Sequence, residues 1–97
     1  NINFYEAENG LQALEVYKNS KIDLILLDIN MPVMNGIQFL EAIYENKKVK
    51  NIKVPIIIIS GLLSDDVMNK NRDRGVVNYI KKPFKVSILR ETIKKYL

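Results

Sequence analysis

Ninety-seven residues, 47% hydrophobic and 27% charged, suit one globular domain with one core and argue against a disordered chain. With neither cysteine nor histidine, a disulfide framework, a thiolate zinc site and imidazole catalysis are all excluded. The net charge of +4 comes from scattered lysines, with no basic run interleaved with aromatics, so direct nucleic-acid binding is not expected. No apolar run approaches the ~20 residues of a membrane span and nothing at the start resembles a signal peptide, so no membrane contact and a cytoplasmic location are expected.

Residues 2–7, INFYEA, mix β-branched and aromatic side chains and read as a short strand. Asn9 and Gly10 turn the chain. Leu11, Leu14, Val16 and Tyr17 lie near helical spacing, which predicts a helix over 11–19. Residues 22–27 read as a second strand, apolar except for Asp23, and Asp28 closes it. A loop with Pro32, Asn35 and Gly36 follows. A helix is predicted over 36–45, with Ile37, Leu40, Ile43 and Tyr44 on one face.

Lys47 to Lys53 is a basic connector. Residues 54–60, VPIIIIS, suit a strand buried on both faces, as in a parallel sheet covered by helices. Leu62 to Arg74 should be a weak helix, with Ser64 as N-cap and Gly75 as its end. A fourth strand is expected over 76–80. The last helix is expected over 86–97, with Ile88, Leu89, Ile93 and Leu97 facing inward. Strict alternation of strand and helix argues for an α/β fold, a doubly wound parallel sheet.

Three polar residues stand at the ends of three successive apolar strands: Asp28, Ser60 and Lys82. Parallel strands place all three at one edge of the sheet, where ligands of such sheets bind. A carboxylate is costly to bury unpaired, so Asp28 is not there for packing. A carboxylate, a hydroxyl and an ammonium together suit phosphoryl chemistry. The carboxylate can be the nucleophile, giving an acyl phosphate, and the other two can bind the transferred oxygens.

The stretch Asp28-Ile29-Asn30-Met31-Pro32-Val33-Met34-Asn35-Gly36 resembles the phosphoacceptor motif of response regulator receiver domains, the switches of two-component signalling. Ser60 in PIIIISG resembles the family's strand-end Ser/Thr. Lys82-Pro83 in YIKKPF resembles its Lys-Pro pair, and Tyr79 its switch aromatic. Glu6 to Leu14, EAENGLQAL, resembles its second strand and following helix. The resemblance covers essentially the whole chain, residues 1–97.

It implies a flavodoxin-like sheet and a phosphorylation-controlled signalling switch rather than an enzyme with its own turnover. Asp28 would accept a phosphoryl group from a histidine kinase or phosphorelay protein. Mg²⁺ would take Asp28 and the backbone carbonyl of Asn30. Asn30 and Leu62 would flank the path of the hydrolytic water. Ser60 would move toward the phosphoryl group and Tyr79 would turn inward. The face made by the last two helices and the strand between them would then change its affinity for an effector. The Lys82-Pro83 bond is cis in the family.

The chain departs from the family in starting at what matches its second strand. The family's sheet order is 2-1-3-4-5, so the absent first strand is an inner one, and with it goes an acidic pair that holds Mg²⁺. Three readings stay open: a fragment of a longer protein, a strand supplied by another copy in a swapped or edge-paired dimer, or a sheet collapsed to four strands. Weak Mg²⁺ binding is expected, with Glu6 and Glu8 as partial substitutes at most. Two other functions stand beside the switch. One is a pseudo-receiver, an interaction domain without phosphoryl transfer. The other is a haloacid dehalogenase-type phosphatase, which needs a second Asp where this chain has Asn30.

Overall fold

Four consecutive isoleucines make the centre of the molecule. A computed structural model describes residues 5–45, 54–61, 69–71 and 74–97. Ile56–Ser60 forms a strand, β2, whose Ile56, Ile57 and Ile58 are 2%, 0% and 0% exposed. A strand buried on both faces needs parallel neighbours with helices over them. β2 pairs in parallel with Ile25–Asp28 (β1) on one side and Val76–Lys81 (β3) on the other. The sheet order among the described residues is β1-β2-β3. Helices Gly10–Asn19 (α1), Gly36–Glu45 (α2) and Val86–Lys94 (α3) complete the alternation.

The core is built mainly from β2 and α2. Phe39, Leu40 and Ile43 of α2 are buried against Leu27, Ile56, Ile58 and Tyr17. The Tyr17 ring meets Phe39 edge-on, with centroids 6.3 Å apart. Burial raises the pKa of the Tyr17 phenol above its usual value.

Both α1 and α2 start with a related device. Asn9 Oδ1 accepts the Gln12 N–H at 2.9 Å, and Gln12 Oε1 accepts the Glu8 N–H at 2.9 Å. At α2, Asn35 and Gln38 exchange side-chain-to-backbone bonds, both 2.9 Å. The pair at α2 is a capping box, and at α1 Gln12 reaches one residue past the N-cap Asn9, to Glu8; in both the asparagine satisfies a backbone donor that a helix start leaves unpaired. The sequence writes them as Asn-Gly-Leu-Gln at 9–12 and Asn-Gly-Ile-Gln at 35–38.

The architecture differs from the sequence-based expectation at several points. Residues 5–7 of the expected first strand are not a strand, and 1–4 lie outside the described residues. No described strand lies beside them to complete a ladder, so composition alone does not make one. β1 runs 25–28 rather than 22–27, so Asp28 is inside the ladder, paired with Ile59. Most of the expected helix over 62–74, including Ser64, lies outside the described residues. Residues 69–71 are helical, and Gly75, at φ +87°, turns the chain into β3.

α3 ends at Lys94, and Ile88 and Leu97, expected to face inward, are 51% and 59% exposed. Only Thr92 of this helix is buried. Leu89 and Ile93 instead line a groove of about 1080 Å³ that also takes in Tyr17, Leu24 and Leu26 along β1. The edge of β1 away from β2 has no partner among the described residues.

Gly36 lets α2 start directly over the end of β1. A Cβ there would stand 2.6 Å from Asp28 O and 2.9 Å from Ile29 Cα. Both are backbone, which cannot swing aside. An unobstructed helical site would favour alanine by about 1 kcal/mol, but overpacking costs about 1–3 kcal/mol. Gly36→Ala is therefore expected to lower stability, by up to about 2 kcal/mol, read as a lower urea midpoint. A raised midpoint would show that the contact is slack.

Candidate functional site at the carboxyl edge of the sheet

Strand register brings the chemistry together. Asp28 lies opposite Ile59, which lies opposite Ile80. One residue further on, Ser60 lies opposite Lys81, and the Lys82 N–H donates to Ser60 O at 2.9 Å. Three strand ends are thereby held in adjacent rows. The Lys82 side chain then reaches back across the edge. Its Nζ donates to Asp28 Oδ2 at 2.6 Å, across 54 residues of sequence. The Lys82-Pro83 bond is cis, as the resemblance implies.

Asp28 has a second partner. Its Oδ1 accepts the Asn30 N–H at 2.9 Å. The carboxylate is thus held by one cation and one backbone donor at half-exposed depth, the Asp28 side chain being 35% exposed and that of Lys82 45%. Ser60 is buried at 1% exposure. Asn30 is exposed and is brought to Asp28 through its N–H. Tyr79 is 46% exposed on β3, opposite Ile58, so it stands back along the strand from the Asp28–Lys82 pair. Leu62 lies outside the described residues.

The loop from β1 to α2 is tightly closed. Ile29 O accepts the N–H of both Met31, at 3.2 Å, and Gly36, at 3.0 Å. Met34 O accepts the Gly10 N–H at 2.8 Å, which fastens the start of α1 to the same loop. A Cβ at Gly10 would overlap Met34 O and the Met34 side chain, so this contact also requires glycine. These fastenings were legible only as the two Asn-Gly-x-Gln signatures. The positive φ of Val33, +66°, had no signal in the sequence at all, since valine disfavours it.

The sequence model of the response regulator receiver domain matches residues 1–94. This chain belongs to the receiver domain family. It is 33% identical over 93 residues to sporulation initiation phosphotransferase F of Bacillus subtilis, covering 96% of this chain and 72% of that protein. It is 31% identical over 93 residues to the chemotaxis protein CheY of Pseudomonas aeruginosa, covering 96% of this chain and 73% of that one. Against the probable C4-dicarboxylate response regulator DctR of B. subtilis, 32% identical, it spans 38% of the longer protein.

Among solved structures, Vibrio cholerae CheY4 at low pH superposes with a TM-score of 0.79 at 28% identity, covering 94% of this chain and 74% of that one. The expected flavodoxin-like receiver fold is therefore the observed one. No helix among the described residues is long and apolar enough to cross a membrane.

Mg²⁺ takes carboxylate and phosphate oxygens together with several waters. The described residues of this receiver offer it little. No group of three Asp, Glu, His or Cys residues converges among them, so Glu6 and Glu8 do not join Asp28 in one. Asp28 already serves Lys82 and the Asn30 amide.

A half-exposed ion pair stabilises a fold by about 0–1 kcal/mol. Lys82→Gln is expected to change the unfolding free energy by less than about 1 kcal/mol, measured by denaturant titration. A loss several times larger would mean that the pair behaves as a buried one.

Proposed function

We propose that this receiver domain is switched by phosphorylation of Asp28. The observation that carries the reading is the 2.6 Å contact of Lys82 Nζ with Asp28 Oδ2 at the shared strand edge, beside Ser60. A purely structural domain has no need of these three groups in register. The donor is a histidine kinase or a phosphotransfer protein.

An Asp28 oxygen attacks the phosphorus of a phosphohistidine. The O–P bond forms as the N–P bond breaks, and its electron pair leaves with the imidazole. The Lys82 ammonium and the Ser60 hydroxyl then hold the phosphoryl oxygens, whose negative charge they complement. Tyr79 turns inward, and the face around β3 and α3 changes its affinity for an effector. The exposed Val77, Tyr79, Val86 and Ile88 give that face apolar surface to bury. The edge of β1 that has no partner among the described residues suits pairing with a strand from another copy or chain.

The thin set of metal ligands favours one alternative, a pseudo-receiver that binds partners without phosphoryl transfer. Intact mass after incubation with acetyl phosphate and Mg²⁺ separates the two. One phosphoryl adduct is expected, absent in Asp28→Asn; an adduct that persists in the variant, or none in either protein, defeats the switch reading.

Metal affinity gives an independent check. With Asp28 as the carboxylate at the edge, equilibrium titration is expected to find Mg²⁺ bound more weakly than by receivers with further strand-end acids. Equal affinity would mean that ligands come from elsewhere in the protein.

A further inference from the structure

The outer edge of β3, the one turned away from β2, is covered by side chains. The Lys82 N–H faces β2, where it meets Ser60 O. A strand turns its backbone groups to alternate sides, so Ile80 and Asn78 also face β2 and Tyr79 faces away. The Tyr79 N–H therefore points out of the sheet, and Asn78 Oδ1 accepts it at 2.8 Å. The register of β3 on β2 skips Val77, a bulge of one residue. The Tyr96 hydroxyl donates to Val77 O at 3.5 Å and accepts Asn78 Nδ2 at 3.4 Å. Asn78 and Tyr96 thus close a chain of bonds over Tyr79 N–H and Val77 O, two groups that an added strand would need. Both links through Tyr96 are long and therefore weak, and Tyr96 lies beyond the end of α3 at Lys94. Neither residue belongs to the hydrophobic core, so the cover can lift without disturbing it.

We propose that Asn78 and Tyr96 gate the outer edge of β3, and that the open edge pairs antiparallel with the same edge of a second copy. The occupant is a second copy because the edge is its own complement. With a twofold axis at Tyr79, the Tyr79 N–H of each copy meets the Tyr79 O of the other. The Lys81 N–H then meets the partner's Val77 O, the group that Tyr96 had covered. In this register each Lys81 lies opposite Val77 and never opposite a like charge. Val77 and Tyr79, each 46% exposed, gain a surface to bury against. The proposal makes no use of Asp28, so it stands or falls apart from phosphorylation.

The test removes the gate with Asn78→Ala and Tyr96→Phe together, which keeps the aromatic ring. Sedimentation equilibrium gives the dimer dissociation constant, and amide hydrogen exchange at Tyr79 and Lys81 reports on the edge itself. The double variant is expected to dimerise about tenfold more tightly than the unsubstituted protein, because neither copy has to break its own cover first. Its Tyr79 and Lys81 amides are expected to exchange more slowly as concentration rises.

Charge then tests the register. Added to the double variant, Val77→Glu faces the partner's Lys81 and is expected to tighten the dimer several-fold, whereas Val77→Lys is expected to loosen it by as much. Both replace the same exposed valine, so damage to the fold at that position would move the two alike. Equal effects of Glu and Lys overturn the proposal, as does a double variant no more associated than the unsubstituted protein. Association that leaves exchange at Tyr79 unchanged also overturns it, since the contact then lies elsewhere, as at the edge of β1.

Discussion

The close approach of Gly36 to the backbone of Asp28 and Ile29 is the constraint on which the rest depends. Because nothing but hydrogen stands on Gly36 Cα, α2 begins directly over the end of β1. The chain between them is forced into a short closed loop, tied at Ile29 O. That loop in turn anchors its neighbour. Gly10 packs on Met34 and donates to its carbonyl, so α1 hangs from the same loop. The Tyr17–Phe39 contact in the core follows from two helices starting at one place. A chain closed in this way presents Asp28 at its tip with an amide already aimed at it.

Magnitudes show how little of the fold depends on the Asp28–Lys82 pair. A buried isoleucine contributes roughly 1.5–3 kcal/mol, and β2 holds three of them at 2% exposure or less. A half-exposed ion pair contributes about 1 kcal/mol at most. The fold is therefore held by the sheet centre and α2, not by the pair at its edge. Lys82 is placed by backbone instead, through the bond of its N–H to Ser60 O. Its ammonium can therefore change partners without unsettling the structure that positions it.

What was legible in the sequence follows the same division. The isoleucine run announced a central parallel strand, and the acid, hydroxyl and ammonium at three strand ends announced the edge where the structure brings them together. Both signals are local and survive translation into structure because parallel register is regular. The failures have physical reasons too. Residues 2–7 have strand composition, yet at 5–7 they form none, since a strand needs a neighbour as well as a propensity. Ile88 and Leu97 fit an inward helical stripe, yet both are exposed, Leu97 lying beyond the end of α3 at Lys94. Val33 was invisible because the tertiary fastenings on either side of it override the preference of valine.

Among the described residues, α3 and the unpartnered edge of β1 adjoin one groove. Leu89 and Ile93 have the spacing of a buried stripe, and they turn toward the groove that runs along β1. On the far side of that groove lie Leu24 and Leu26, the latter 40% exposed although it sits in a strand. Apolar surface facing apolar surface across a gap is worth burying, at roughly 25 cal/mol per Å². Asp28 and Met31 belong to the same lining. Anything that covers the edge of β1 therefore also abuts the Asp28 carboxylate, so packing at this edge and the surroundings of Asp28 are coupled by geometry.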